Sequence, residues 1–455
     1  MSADLNLKTL TGVHFIGIGG IGMSALARMF VLEGKNVTGS DSSHSKATEE
    51  LEKLGVRIFY EQRKENISPE TNLVVYTIAI LEDNPERVEA KQREIPSLSY
   101  PELLGKISEG KFTIAVSGTH GKTTTTGMIA QILLDVGNDP TVVVGSFLQG
   151  RGSNFIESDQ NTLSACSGDR WTANFIAGKG DIFVVEACEY KRSFLNLNPN
   201  IVVITNIDAD HLDYYKNVTD IQKAFSEFAQ RLPENGTLIA SGREPLIEPI
   251  AKETKNFTDY SKWKKTISLQ IPGLHNQQNA RAALAVAHTL GISLKDALNS
   301  LSKFKGTWRR FEYKGKTKKG ALVYDDYAHH PTEIKAAISG FREFFPHKKL
   351  VVAFQPHLFS RTKAFFNEFV EALSLADEVL LAPIYAAREV FDETISSKLL
   401  AEKMRIPVTV FPSLKEISDY ANDTYSGEEV FVTMGAGDIY EVGRIMLSVP
   451  ASEHF

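Results

Sequence analysis

Residues 112–126 read FTIAVSGTHGKTTTT, and their order decides the fold class. An apolar run, Phe112 to Val116, stops at Ser117. The loop Gly118-Thr119-His120-Gly121 follows, then Lys122, Thr123 and Thr124. The run predicts a buried strand, and Met128 onward predicts a helix. Threonines are poor in mid-helix but good at caps, so the four in a row favour a helix start. Strand, glycine loop, Lys-Thr and helix together form a cradle for a nucleoside triphosphate. Glycines let backbone N–H groups approach phosphate oxygens, and the helix N-terminus adds positive partial charge. Lys122 then reaches the β- and γ-phosphates, and Thr123 offers its hydroxyl to Mg²⁺. The common pattern would put a glycine where Val116 stands, so this loop is two residues short. An ordinary strand–turn–helix with a surface lysine is the competing reading.

The same alternation of apolar strands and helical stretches runs from end to end, which argues an α/β protein with mostly parallel sheets. At 455 residues the chain exceeds one ordinary core. Three domains are expected. Residues 1–110 carry GVHFIGI, SALARMFVLEG, NVTGSD and NLVVYT. Residues 111–305 begin at the phosphate loop and include DIFVVE, NIVVIT and NARAALAVAHTL. Residues 306–455 hold ALVYDDY, KKLVVAFQ, DEVLLAPI, PVTVF and EEVFVTMG, with the helical pattern TKAFFNEFVEALSLA. Residues 150–180, rich in Gly, Ser, Asn and Asp, predict a long loop without a strand. A net charge of −6 gives no basic face for nucleic acid. No run of about 18 apolar residues predicts a membrane span, and the N-terminus does not read as a signal peptide. Two cysteines, Cys166 and Cys188, imply no disulfide framework and fit a reducing cytoplasm. Cys188 is expected to be a small core residue.

The first strand runs into Gly17-Ile18-Gly19-Gly20-Ile21-Gly22, with Ser40 and Asp41 ending the next strand. Taken alone this is a dinucleotide fingerprint. An NAD-dependent oxidoreductase would not need the second loop at Gly118. Two phosphate cradles suggest two nucleotide-bearing substrates, one of them ATP, with the first block holding the diphosphate of the other.

DIFVVE places Glu186 at the end of a strand, followed by Cys188 and Glu189, and NIVVIT leads into Asn206-Ile207-Asp208-Ala209-Asp210-His211. Ligands of parallel sheets bind at carboxyl strand ends. Glu186 with Thr123 suits Mg²⁺, whereas His211 is a less usual ligand for that ion. Asp208, Asp210 and Asp213 read more readily as a solvated acidic turn than as ligands. Asn279, at a helix start in LHNQQNA, either caps that helix or contacts an adenine. Arg309 and Arg310 follow the second boundary, where a guanidinium can swing onto a phosphate. ALVYDDY ends in Asp325-Asp326-Tyr327-Ala328-His329-His330, where ribose or adenine contact outweighs metal binding. Pro356-His357 and Ser360-Arg361-Thr362 follow KKLVVAFQ. Arg361 is either a carboxylate clamp or an ordinary helix-start arginine.

The segments GIGGIGMSALA, SGTHGKTTTT, EACEY, NIDADHLDYY, LHNQQNARAA, WRRFE, DDYAHHPTEI, FQPHLFSRT and GAGDIY span residues 13–440. Together they resemble the Mur ligases, ATP-dependent amide-forming enzymes of peptidoglycan synthesis. The resemblance implies a Rossmann-like first domain for the UDP part of the substrate, a P-loop-type central domain for ATP, and a Rossmann-like third domain that closes over both and helps bind the amino acid. It implies Lys122 and Thr123 on phosphate and Mg²⁺, Glu186 and His211 on metal, Asn279 on adenine, Arg310 on a phosphate and Asp326 on the ribose. His329, His357 and Arg361 would sit near the reacting groups. The implied partners are UDP-N-acetylmuramate and L-alanine, in a cytoplasmic monomer or weak homodimer. Residues 156–172 look like an insertion relative to the family. A branch that attaches an intact tripeptide to the same sugar nucleotide is the alternative. A nucleotide-dependent binding protein that makes no bond is another.

Overall fold

The computed structural model describes residues 5–149, 171–212, 214–387 and 389–447. Among them are three sheets, one within each of the three stretches marked out above. The first comprises β1 (Gly12–Ile16), β2 (Asn36–Ser40), β3 (Arg57–Phe59), β4 (Leu73–Tyr76) and β5 (Ser97–Ser99), all parallel, in the order β3-β2-β1-β4-β5. The second comprises β6 (Phe112–Ser117), β7 (Thr141–Gln149), β8 (Trp171–Ile176), β9 (Ile182–Glu186), β10 (Ile201–Ile204), β11 (Thr237–Ala240) and β12 (Phe257–Asp259). Its order is β12-β11-β10-β6-β9-β7-β8, parallel except for β8. The third comprises β13 (Glu312–Lys316), β14 (Leu322–Asp326), β15 (Lys349–Phe354), β16 (Glu378–Leu381), β17 (Val408–Val410) and β18 (Glu429–Met434). Its order is β13-β14-β18-β15-β16-β17, with β13 antiparallel to β14. The α/β class with mostly parallel sheets is as expected.

The strands read most easily are those covered on both faces. Every residue of β1, β10 and β18 is buried, as parallel sheets require when helices cover both sides. In the first sheet β1 lies between β2 and β4. In the second, β6 lies between β10 and β9. At such points the chain leaves neighbouring strands in opposite directions and opens a crevice at their carboxyl ends. Both glycine loops stand there.

The chain forms two compact units. One holds the first two sheets, up to Ser268 and with Gln278–Phe304; the other holds the third sheet, with Leu269–Gln277 and the chain from Lys305. In the first unit one apolar core runs through both sheets, joining Phe15 and Phe30 to Phe183, Phe225 and Phe228. Phe354, Phe369 and Phe341 centre a core in the second. No helix among the described residues is long and apolar enough to cross a membrane.

Three local expectations are corrected. Residues 150–170, with most of the apparent insertion, lie outside the described residues, but Trp171–Ile176 is a strand rather than loop. Its polar Asn174 points inward, where Nδ2 donates to Ser24 Oγ (3.1 Å) and to Ile21 O, so the strand lacks a clean apolar alternation. The helix after the phosphate loop begins at Lys122, and so includes all four threonines. The helical pattern of TKAFFNEFVEALSLA is two helices, Phe359–Ala364 and Phe366–Leu373, broken at Phe365 (φ −115°).

Candidate active site

The loop after β6 owes its shape to glycine. Gly118 (φ +130°) and Gly121 (φ +81°) take backbone conformations that L side chains rarely adopt. A Cβ at Gly118 would collide with Thr205, and one at Gly121 with the amide of Asn279. Asn279, 5% exposed, thus abuts the phosphate loop itself. The segment after β10 clamps the loop from the other side. Thr119 N donates to Asn206 O (3.0 Å), His120 N to Asn206 Oδ1 (2.9 Å) and Asp208 N to Thr119 Oγ1 (2.8 Å). Asp208 is therefore part of the loop's support rather than a bare acidic turn, and His120 Nε2 lies 3.4 Å from its Oδ2.

Lys122 Nζ donates to Gly118 O (2.6 Å), to Thr119 O (3.0 Å) and to Glu189 Oε1 (3.1 Å). Its ammonium is folded onto its own loop and neutralised by a carboxylate only 2% exposed. Burial works against that charge, but Glu189, with Glu186 assisting, outweighs it and holds the amine well above the usual lysine range. Glu189 also stands 3.9 Å from His211 Nε2. It links two predicted site residues, and its sequence position alone does not assign it a role. The second acid of EACEY was its only signal, and its burial depends on distant residues, among them Tyr215, whose hydroxyl donates to Glu189 O. Thr123 Oγ1 donates to Glu186 Oε2 (2.9 Å), which also accepts from Gly145 N (2.8 Å). Thr124 is buried in the first turn of the same helix. Cys188 is exposed, which corrects its expected place in the core. The strand ends at Glu186, so alternation no longer governs which way the next residues face. His211 (φ +54°), Lys191 (φ +50°) and Arg192 (φ +56°) are all left-handed, each at a cost of about 1–3 kcal/mol. That turn sets the Tyr190 ring 4.8 Å from that of His211.

At the first loop, Gly17 N and Ile18 N donate to Ser40 O (2.8 and 3.0 Å), and Gly19 N to Asp41 Oδ2 (2.8 Å). Ser40 is fully buried with its hydroxyl on Glu86 (2.6 Å), so its side chain faces inward and the loop is held by its carbonyl. The first intrahelical bond runs from Ser24 N to Gly20 O (2.8 Å), so the amides of Ile21 and Gly22 precede it at the helix N-terminus. Gly22 has a packing reason as well: a Cβ there would come within 2.5 Å of the Tyr100 hydroxyl.

In the second unit the predicted residues gather at the carboxyl ends of β14 and β15. Asp326 accepts from Phe311 N and Ala328 N, both at 2.9 Å. Burial pushes its carboxyl up to about 6, although Arg310 and the two amides pull the other way. Arg310 Nη1 lies 3.6 Å from Glu333 Oε1, with the guanidinium 5.3 Å from the Tyr327 ring centroid. His329 Nδ1 is 3.0 Å from Tyr327 O and 3.3 Å from Glu333 Oε2. Its ring is 6.1 Å from that of His357, whose Nδ1 is 3.3 Å from Arg361 Nη1. The two neighbouring arginines have parted. Arg309 is 2% exposed and bonded to Asp325, Gly435 and Gly437, so it cannot swing onto a phosphate. The adjacent histidines part likewise: His330 is buried and caps a helix through Thr332 N (3.3 Å).

Comparison with known proteins agrees with this geometry. The Mur ligase family catalytic domain matches residues 12–112, the Mur ligase middle domain residues 116–266, and the Mur ligase glutamate ligase domain residues 309–437. A UDP-N-acetylmuramate–L-alanine ligase of Clostridium kluyveri is 41% identical over 96% of this chain and 98% of its own length. That of Clostridium acetobutylicum is 40% identical over 98% and 100%. Among solved structures, the UDP-N-acetylmuramate–alanine ligase of Thermotoga maritima superposes with a TM-score of 0.76 at 30% identity, covering 96% of this chain and 98% of that one. A murein peptide ligase of Psychrobacter arcticus reaches 0.68 at 25%, over 96% and 98%. With identity near two-fifths sustained along almost its whole length, the chain belongs to the Mur ligase family.

Proposed function

We propose that this chain is an ATP-dependent ligase that joins L-alanine to the lactyl carboxylate of UDP-N-acetylmuramate. The observation that carries the reading is the Lys122–Glu189–His211 chain beside the glycine loop of β6, in a sequence 40–41% identical to ligases of that name. The lactyl carboxylate attacks the γ-phosphorus of ATP, ADP departs, and an acyl phosphate forms. The amine of L-alanine then attacks the acyl carbon, loses a proton and expels phosphate. Lys122 holds the transferring phosphoryl group, and backbone amides of the loop hold its neighbours. Because an acyl phosphate hydrolyses, the site must exclude water while it exists.

Thr123 Oγ1 and Glu186 Oε2 are hard oxygen donors 2.9 Å apart, and that donor set fits Mg²⁺. When bound, the ion would offset charge on the phosphates, and His211 would reach it from the Glu189 side. We assign the diphosphate of the sugar nucleotide to Gly17, Gly19, Gly20, Ile21 and Gly22, with Asp41 fixing the loop. Thr119, His120, Thr124 and Asn279 shape the ATP cradle. Arg310, Asp326 and His329 are the nucleotide-directed residues of the second unit, and His357 and Arg361 its amino-acid-directed pair. We further assign the three sheets to three domains, 1–110, 111–305 and 306–455, in a cytoplasmic monomer or weak homodimer.

The deciding experiment measures phosphate release from ATP with UDP-N-acetylmuramate and, in separate arms, L-alanine, glycine, L-serine and the tripeptide L-Ala–γ-D-Glu–diaminopimelate. Release that needs both the sugar nucleotide and L-alanine is expected. Release with the tripeptide in place of L-alanine would make this a murein peptide ligase, and release in no arm would end the enzymatic reading. Gly121→Ala offers a local check. The left-handed backbone alone costs about 1–2 kcal/mol with a side chain, and the new methyl meets Asn279. We expect the KM for ATP to rise about tenfold or more; an unchanged KM would take Gly121 out of the cradle.

A further inference from the structure

Tyr385 lies just beyond β16 and has no place in the site assembled so far. Its backbone is tied at both ends to the segment leaving β15. Tyr385 N donates to Pro356 O (2.8 Å), and Leu358 N donates to Tyr385 O (2.9 Å). Its ring stacks on that of His357, with centroids 5.6 Å apart and planes 14° from parallel. The backbone of Gly437 also closes on the ring: a Cβ there would fall 2.9 Å from Tyr385 Cγ and 3.0 Å from Cδ2. Gly437 is itself fixed, its carbonyl accepting from Arg309 Nη1 (3.0 Å). The tyrosine ring, though 39% exposed, is thus anchored through its backbone and bounded at one edge by Gly437, and His357 stacks on its face.

His357 Nδ1 lies 3.3 Å from Arg361 Nη1. A guanidinium only donates, so this contact calls for Nδ1 as the acceptor, and we assign the ring proton to Nε2 on that ground. In that tautomer Nε2 offers an N–H, which suits a carboxylate and cannot take a proton from an amine. Leu358, next along the chain, is left-handed (φ +72°), so the turn needs outside support.

We propose that Tyr385 is a positioning residue that holds His357 in this orientation and tautomer, so that His357 Nε2 and Arg361 together present N–H donors to the carboxylate of the incoming amino acid. The proposal rests on the ligase reading above. The test compares wild type, Tyr385→Leu and Tyr385→Phe, each also on a His357→Ala background. Tyr385→Leu is expected to raise the KM for L-alanine about tenfold and leave the KM for ATP within about twofold. Tyr385→Phe keeps the ring and should restore the L-alanine KM to within about twofold. On the His357→Ala background, adding Tyr385→Leu should change little, because the two act as one. An unchanged L-alanine KM in the leucine variant, equal losses for Phe and Leu, or losses that multiply on the His357→Ala background would overturn it. Side-chain ¹H–¹⁵N spectra of the free protein give a readout independent of turnover. His357 should show the Nε2–H tautomer in wild type and a mixture in Tyr385→Leu. Should wild type release no phosphate with L-alanine, the ligase reading falls, and these spectra alone still decide whether Tyr385 governs His357.

Discussion

Lys122→Ala is expected to lower L-alanine-dependent phosphate release by about 10²–10³-fold, the usual consequence of removing one preorganised donor from developing charge. The geometry of the loop explains why the effect is this large. Nζ already sits among the loop carbonyls of Gly118 and Thr119, and in the proposed reading it exchanges those oxygens for a phosphate. The same substitution strands Glu189, which is 2% exposed and whose ammonium partner lies at 3.0 Å. Breaking a buried pair from one side costs about 3–5 kcal/mol. Loss of activity and loss of stability are therefore confounded in the single variant. The double substitution Lys122→Ala with Glu189→Gln separates them, because it removes the uncompensated charge without restoring the cation. Thermal unfolding should recover most of the lost stability while turnover stays low. Recovery of turnover together with stability would reduce Lys122 to a structural residue, and a single variant within tenfold of wild type would remove it from the mechanism.

Much of this molecule is legible in its sequence, and the parts that are not have a common physical cause. Runs such as Ile114–Val116 and Ile201–Ile204 are apolar because both faces of their sheets are covered, so they announce themselves. Edge strands do not. β3, β5 and β12 are three residues each and partly exposed, and only pairing with a neighbour defines them. Among side chains, the phosphate loop was readable because glycine spacing is local. Glu189 was not, because its partners Lys122 and His211 come from other elements. Ser40 shows the opposite effect: it ends a strand beside the first glycine loop, but alternation turns its hydroxyl inward toward Glu86. Tyr385 lies in a segment without periodicity, and its meaning comes wholly from what it touches.

The pair Arg309-Arg310 carries the second large effect, and it falls on the residue that a sequence reading would treat as interchangeable with its neighbour. Arg309→Met is expected to destabilise the second unit by about 3–5 kcal/mol. Nε donates to Asp325 Oδ2 at 2.7 Å, and both groups are 2% exposed or less. Nη2 and Nη1 satisfy the carbonyls of Gly435 (2.7 Å) and Gly437 (3.0 Å). The guanidinium also lies 4.8 Å from the Tyr440 ring centroid and 5.1 Å from that of Tyr327. Methionine fills similar volume but leaves Asp325 with only the Thr433 hydroxyl and no cation, and two buried carbonyls without their donor, so the loss is electrostatic rather than a cavity. Replacing both partners, Arg309→Met with Asp325→Leu, should recover much of the stability, since an apolar pair can match a buried ion pair. Arg310→Ala is expected to behave in the opposite way. Its side chain is 27% exposed and its contact with Glu333 is a loose 3.6 Å, so the loss of that exposed pair should shift unfolding by no more than about 1 kcal/mol. Its effect should fall on turnover. Denaturant titration and phosphate release on both single variants check the contrast. An Arg309 variant as stable as wild type would mean that Asp325 and the two carbonyls find other partners. An Arg310 variant with full turnover would return the phosphate-directed role to some other cation. The Arg309 anchor also bears on the proposed amino-acid site, because the Gly437 carbonyl it fixes belongs to the backbone against which Tyr385 rests. Loosening it should raise the L-alanine KM before the unit unfolds.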